Sequence, residues 1–117
     1  RYPQRLWSMI YTVQITSRAE TDLREIYGYI TYELLSPPTA VRQLQRLEEE
    51  ILSLDQMPNR YPAYLEEPWH SRGLRVMSVD NYLVFYIPDT ATQTVSVIRV
   101  MYGGRDIGSQ LDTLEQP

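Results

Sequence analysis

Arg72–Asp106, RGLRVMSVDNYLVFYIPDTATQTVSVIRVMYGGRD, is the stretch that decides the fold. It reads as three consecutive strands. Tyr82 to Ile87 is an unbroken apolar and aromatic run, which suits a central strand buried on both faces. Val79-Asp80-Asn81-Tyr82 places a two-residue polar turn between two β-rich runs, a hairpin signal short of the Asn-Gly optimum. Pro88-Asp89-Thr90-Ala91-Thr92 is a second turn, and Val95 to Met101 returns as a β-branched strand. Arg72 and Arg75 at the start, Arg99 near the end and Tyr102-Gly103-Gly104-Arg105-Asp106 beyond it give this sheet a charged, polar rim. The functional candidates sit on that rim.

Working outward, Ile10 to Thr16 alternates, with Tyr11, Val13 and Ile15 on one face, as a half-buried strand does. Ser17-Arg18-Ala19-Glu20 matches a capping box, in which the serine accepts from an early amide and the glutamate reaches back. Ala19, Leu23, Ile26, Tyr27, Ile30 and Leu34 follow at helical spacing, predicting about five turns of helix. Ser36-Pro37-Pro38 ends that helix and opens the next. There Ala40, Leu44, Leu47, Ile51 and Leu54 form an apolar seam, and Met57-Pro58 stops it. Glu48 to Glu50 lie outside the seam, on a solvated face. Asn59 to Ser71 is an irregular, proline-rich connection. Ile107, Leu111 and Leu114 are spaced for a short tail helix. Arg1 to Met9 shows neither periodicity nor a cap and is expected to be an N-terminal extension without order. Residues 10–114 are then a single domain. The expected architecture is α+β, in the order β-α-α-β-β-β, with a helical hairpin on one face of a largely antiparallel four-stranded sheet.

Composition narrows the function classes. At 117 residues, 43% of them apolar, the chain is sized for one core. No apolar run approaches a membrane span, and no basic-apolar leader pattern opens the sequence. The absence of cysteine excludes a disulfide framework and thiolate metal sites and fits a cytoplasmic protein, and a single histidine argues against a histidine metal site. No cofactor is expected. Fifteen acidic residues against eleven basic ones leave a net charge of −4, whereas nucleic-acid-binding domains carry an excess of positive charge. All eleven basic residues are arginine. Arginine suits bidentate phosphate or carboxylate recognition, but high-GC codon usage gives the same bias and is the plainer cause.

Six segments, in order, carry a resemblance. They are Tyr11-x-Val13-x-Ile15-Thr16, Ala19-x-x-Asp22-Leu23-x-x-Ile26-x-x-Tyr29-Ile30, Leu54-x-x-Met57-Pro58, Arg72-Gly73-Leu74-Arg75, Asn81 to Tyr86, and Arg99-Val100-x-Tyr102-Gly103-x-Arg105-Asp106. Together they resemble the RelE/ParE superfamily, the toxin halves of bacterial type II toxin–antitoxin (plasmid stabilisation) modules, from Tyr11 to about Leu111. The resemblance implies two helices on a curved sheet and an antitoxin that wraps the toxin in a hetero-oligomer; the apolar surface that the antitoxin's tail would cover on the helices or sheet edge leaves a homodimer as the alternative for the isolated toxin. It implies one of two activities: RelE-like cleavage of messenger RNA in the ribosome, or ParE-like poisoning of DNA gyrase by protein contact. A degenerate, non-toxic binding module is a third reading.

Cleavage through the ribose 2′-hydroxyl needs a base, an acid and cationic stabilisation of the phosphate. By resemblance, Arg75 falls where the nucleases place a phosphate-stabilising arginine, with Arg99 and Arg72 as secondary helpers. Tyr102 falls at or beside their catalytic histidine or tyrosine, and Glu66 or Glu67 is the candidate to stand in for the glutamate that some of them use as base. The only histidine, His70, lies in the loop instead of after the last strand, and a tyrosine with an ordinary pKa near 10 is a poor base. Arg105 and Asp106 are candidates for target or antitoxin contact, and equally for capping the tail helix. Strand-end arginines are often solvated or paired, worth at most about 1 kcal/mol each. Acidity, the YGGRD ending and the displaced histidine favour the ParE-like reading, because binding a polyanion rests largely on positive charge.

Overall fold

The computed structural model describes residues 10–104 and 107–112. Strand β1 (Thr12–Ile15) leads into helix α1 (Ser17–Gly28), and helix α2 (Pro37–Leu52) follows. Strands β2 (Arg75–Val79), β3 (Tyr82–Asp89) and β4 (Thr94–Tyr102) come next, then a short helix α3 (Ile107–Asp112). The sheet order is β1-β4-β3-β2. β2, β3 and β4 are successive antiparallel neighbours, and β1 pairs in parallel with β4. The expected α+β architecture is the one found, with the two β-richest runs at the centre of the sheet.

Alternation along the strands divides the core in two. On one face, Ala19, Leu23 and Ile26 of α1 and Leu47 and Ile51 of α2 pack on Met77, Val79, Val84, Tyr86, Val95, Val97 and Val100. On the other, Phe85, Leu83, Ile98 and Met101 are covered by Trp69 and Leu74 from the long connection and by Leu111 of α3. The connection read as irregular is therefore the roof of the second face. Its own backbone also pairs with β2, through Tyr64 N–H to Leu74 C=O (2.9 Å) and Val76 N–H to Pro62 C=O (3.0 Å).

Two local readings need correction. The N-cap of α1 is Thr16, not Ser17: its hydroxyl accepts from the Ala19 amide at 3.2 Å. Thr16 occupies the extended conformation a cap needs, directly after the last residue of β1. The five helical turns are present, but the last is a π-turn over Tyr29–Glu33. The wider turn swings Leu34 out of the apolar stripe, leaving it exposed. Leu35 then takes φ 54°, the left-handed position usually given to glycine, and Ser36 N–H closes back onto Ile30 C=O at 3.1 Å.

Candidate functional site

β4 carries an extra residue: Phe85 opposes Arg99 but Tyr86 opposes Val97, so Ile98 is bulged out. A bulge leaves ladder groups without strand partners, and α1 supplies them. The Thr16 hydroxyl donates to Val97 C=O at 2.9 Å and approaches Ile98 C=O at 3.3 Å. The Asp22 carboxylate accepts from Val100 N–H at 2.9 Å. The same carboxylate takes a bidentate grip on Arg99, with Nε to Oδ2 at 2.7 Å and Nη2 to Oδ1 at 3.0 Å. A further Arg99 nitrogen donates to Gln110 C=O of α3 at 3.3 Å. Arg99 and Asp22 are each 3% exposed. Arg99 was expected on the rim as a secondary phosphate ligand, and the structure places it inside the protein, consumed by packing α1 and α3 onto the bulge. The sequence did hold a signal: Asp22 lies on the buried stripe of α1, and a charge there requires a partner.

Arg75 opens β2 opposite Tyr86, on the helix-covered face. It is half-buried, and its Nη1 donates to Tyr61 C=O at 2.6 Å. Tyr86 is fully buried and donates to Pro58 C=O at 2.5 Å. Burial pushes its phenol up to about 12, against the opposing pull of Arg75 and Arg60. Arg60 stacks over Tyr61 at 4.7 Å and caps the end of the helical segment through the carbonyls of Ser53, Gln56 and Met57.

Tyr102 ends β4, about half exposed, paired with Tyr82 across the sheet and edge-on to its ring at 5.9 Å. Burial raises the Tyr82 phenol, with Tyr102 and Tyr29 adding to the effect, so three tyrosines gather at this end. Arg75 and Tyr102 are not near one another. Their partners on β3, Tyr86 and Tyr82, are four residue steps apart. That is about 13 Å along the strand and two strand spacings across, roughly 16 Å between Cα atoms.

The loop candidates are also engaged. Arg72 lies over the Trp69 ring at 5.2 Å. His70 Nδ1 is 2.9 Å from Tyr64 C=O. The Ser71 hydroxyl and amide hold the Glu67 carboxyl below its usual range, the opposite of what a general base at neutral pH requires. Glu66 accepts from the His70 amide through its own carbonyl, and its side chain is exposed. Arg105 and Asp106 lie outside the described residues. Arg75, Tyr102, Arg99 and Arg72 therefore occupy separate environments and do not assemble around one phosphate.

The surface does present an apolar cluster. Tyr29, Tyr32, Leu34 and Leu35 are 55%, 73%, 56% and 79% exposed at the tip of the helical hairpin, with Tyr102 nearby. Sequence periodicity missed this patch because it treated the π-turn as ordinary helix. An apolar cluster of this kind suits protein contact.

A family model described as the ParE toxin of the type II toxin–antitoxin system parDE matches residues 13–107. Among solved structures, the chromosomal ParDE system of P. aeruginosa superposes with a TM-score of 0.66 at 20% identity, covering 80% of this chain and 97% of that one. The toxin–antitoxin complex RelBE2 of Mycobacterium tuberculosis gives 0.61 at 25% identity, covering 80% and 92%. A double arginine-to-alanine mutant of the E. coli toxin RelE in the free state gives 0.62 at 12% identity, covering 93% and 100%. No curated protein matches the chain in sequence.

Proposed function

The chain belongs to the ParE family of type II toxin–antitoxin toxins, and from that premise we propose that it acts as ParE-like toxins do, inhibiting DNA gyrase by protein contact. The observation that carries this reading is the roughly 16 Å between Arg75 and Tyr102 on the strand register, with Arg99 buried against Asp22. Without a base, an acid and a cation converging on one phosphate, in-line cleavage of RNA lacks its machinery. A net charge of −4 further opposes capture of a polyanion. Contact inhibition needs apolar surface and shape, and calls for no metal or cofactor.

The partner that neutralises it is a cognate antitoxin in a toxin–antitoxin hetero-oligomer, since the ParDE and RelBE2 structures that resemble it are toxin–antitoxin systems. Gyrase places the action in the cytoplasm. No helix among the described residues is long and apolar enough to cross a membrane.

The deciding experiment adds purified full chain to gyrase and relaxed plasmid. Loss of supercoiling, reversed by the antitoxin, supports the reading. Undisturbed supercoiling at toxic doses, with discrete cuts in ribosome-bound message by primer extension, assigns the nuclease instead. Those cuts would then have to vanish in Arg75→Ala.

A further inference from the structure

We infer that the tip of the helical hairpin is a self-association surface that pairs two copies of this toxin about a two-fold axis. This goes beyond the target reading and does not depend on it.

The tip spans the end of α1, the π-turn and the start of α2. Between Tyr27 and Arg42 it holds only two charged residues, Glu33 and Arg42, in a chain whose net charge is −4. Tyr29, Tyr32, Leu34 and Leu35 are more than half exposed there. At roughly 150–250 Å² for a large side chain, they leave about 500 Å² of surface per copy without internal cover, so that a pair would bury on the order of 1,000 Å². That reaches the lower limit of a specific interface, and it corresponds to a weak, concentration-dependent dimer.

Charge argues for a second copy as the occupant. Glu33 and Arg42 are both exposed, and neither has an ion-pair partner among the described residues. Arg42 is held only to the Thr39 hydroxyl at 3.3 Å. Across a two-fold axis, each residue that meets another is met by it in return. One acid and one base on the same patch therefore pair twice, Glu33 with Arg42 in both directions, around an apolar centre. A nucleic acid would find no positive excess here, and a strongly charged protein would leave one of the two unanswered.

Sedimentation velocity of the full chain over a concentration series tests the assignment. Wild type should move from monomer to dimer as concentration rises. Leu35→Asp should stay monomeric with an unchanged melting temperature, because the side chain is exposed and aspartate tolerates a left-handed backbone. Glu33→Arg alone, or Arg42→Glu alone, should weaken the dimer about tenfold. The double reversal E33R/R42E should restore it. A monomer at every concentration overturns the inference, and so does a dimer indifferent to Leu35→Asp. Charge reversals that do not rescue one another overturn the two-fold pairing. Tip variants that keep their mass profile but lose capture by the antitoxin would give the surface to the antitoxin instead.

Discussion

At the β4 bulge a carboxylate, a guanidinium, a threonine hydroxyl and three backbone groups of the strand lie between α1 and the sheet, each with a partner. At the hairpin tip, some four turns along the same helix, four large apolar side chains face solvent and a left-handed leucine closes the turn. Polar groups sit where apolar ones are expected, and apolar groups where polar ones are. The bulge solves an internal problem, fixing how α1 sits on a strand whose ladder is interrupted. Nothing within the described residues covers the tip, the surface inferred above to meet a second copy. The contrast puts Arg99 inside the architecture, where sequence alone had made it a secondary candidate of the nuclease reading.

The heaviest blow to that contrast is Asp22→Ala. It strands the buried Arg99 charge and orphans the Val100 amide, and should cost about 3–5 kcal/mol, enough to unfold much of the protein, as read by urea denaturation. The double variant Asp22→Leu with Arg99→Met removes both charges together and should cost clearly less than Asp22→Ala, the signature of a coupled buried pair. A double loss as large as the two single losses added together would show that the pair is not coupled.

Tyr86→Phe tests the opposite end of the sheet. Losing the bond to Pro58 should cost about 1 kcal/mol. The folded phenol titrates at about 12 against an ordinary value near 10, so the native state holds this proton more tightly than the unfolded chain. The corresponding stabilisation is complete below about pH 10 and is lost as pH rises towards 12. Alkaline denaturation curves should therefore fall less steeply over that window in Tyr86→Phe than in wild type.

The smallest effect belongs to the tip. Leu35→Gly relieves a left-handed leucine but loosens the unfolded chain, and the two should offset to within about 0.5 kcal/mol in the same urea assay. A loss of several kcal/mol would mean that Leu35 serves the fold, and the contrast between tip and bulge would fail.

The parts of this fold that could be read in advance are those where a period carries the information. Strands β3 and β4 announced themselves by unbroken or alternating apolar runs, and α2 by its Ala40-to-Leu54 seam. What escaped is what breaks a period. Ile98 reads as one more β-branched residue in sequence, and only strand register reveals it as the bulge that turns Arg99 inward. Tyr29–Glu33 keeps helical spacing long enough to disguise the change to a π-turn. Trp69 and Leu74 sit among prolines and polar residues, so their role as a roof over Phe85 and Met101 needed the sheet's second face to be seen first. The rim candidates failed to converge for a related reason. Sequence order puts Arg75 and Tyr102 at the two ends of one run, and only the pairing shows how far apart the folded chain holds them.

The parallel pairing of β1 with β4 has a consequence for how the protein is made. Thr16 meets Val97 across 81 residues of chain, so the first strand waits beside an empty place until the last has been synthesised. Contacts of such sequence separation close late and slow the search, and a nascent chain that has not yet delivered β4 has a helical hairpin with no complete sheet to rest on. Truncated translation products should accordingly be harmless and quickly degraded, which confines the poison to ribosomes that finish their work.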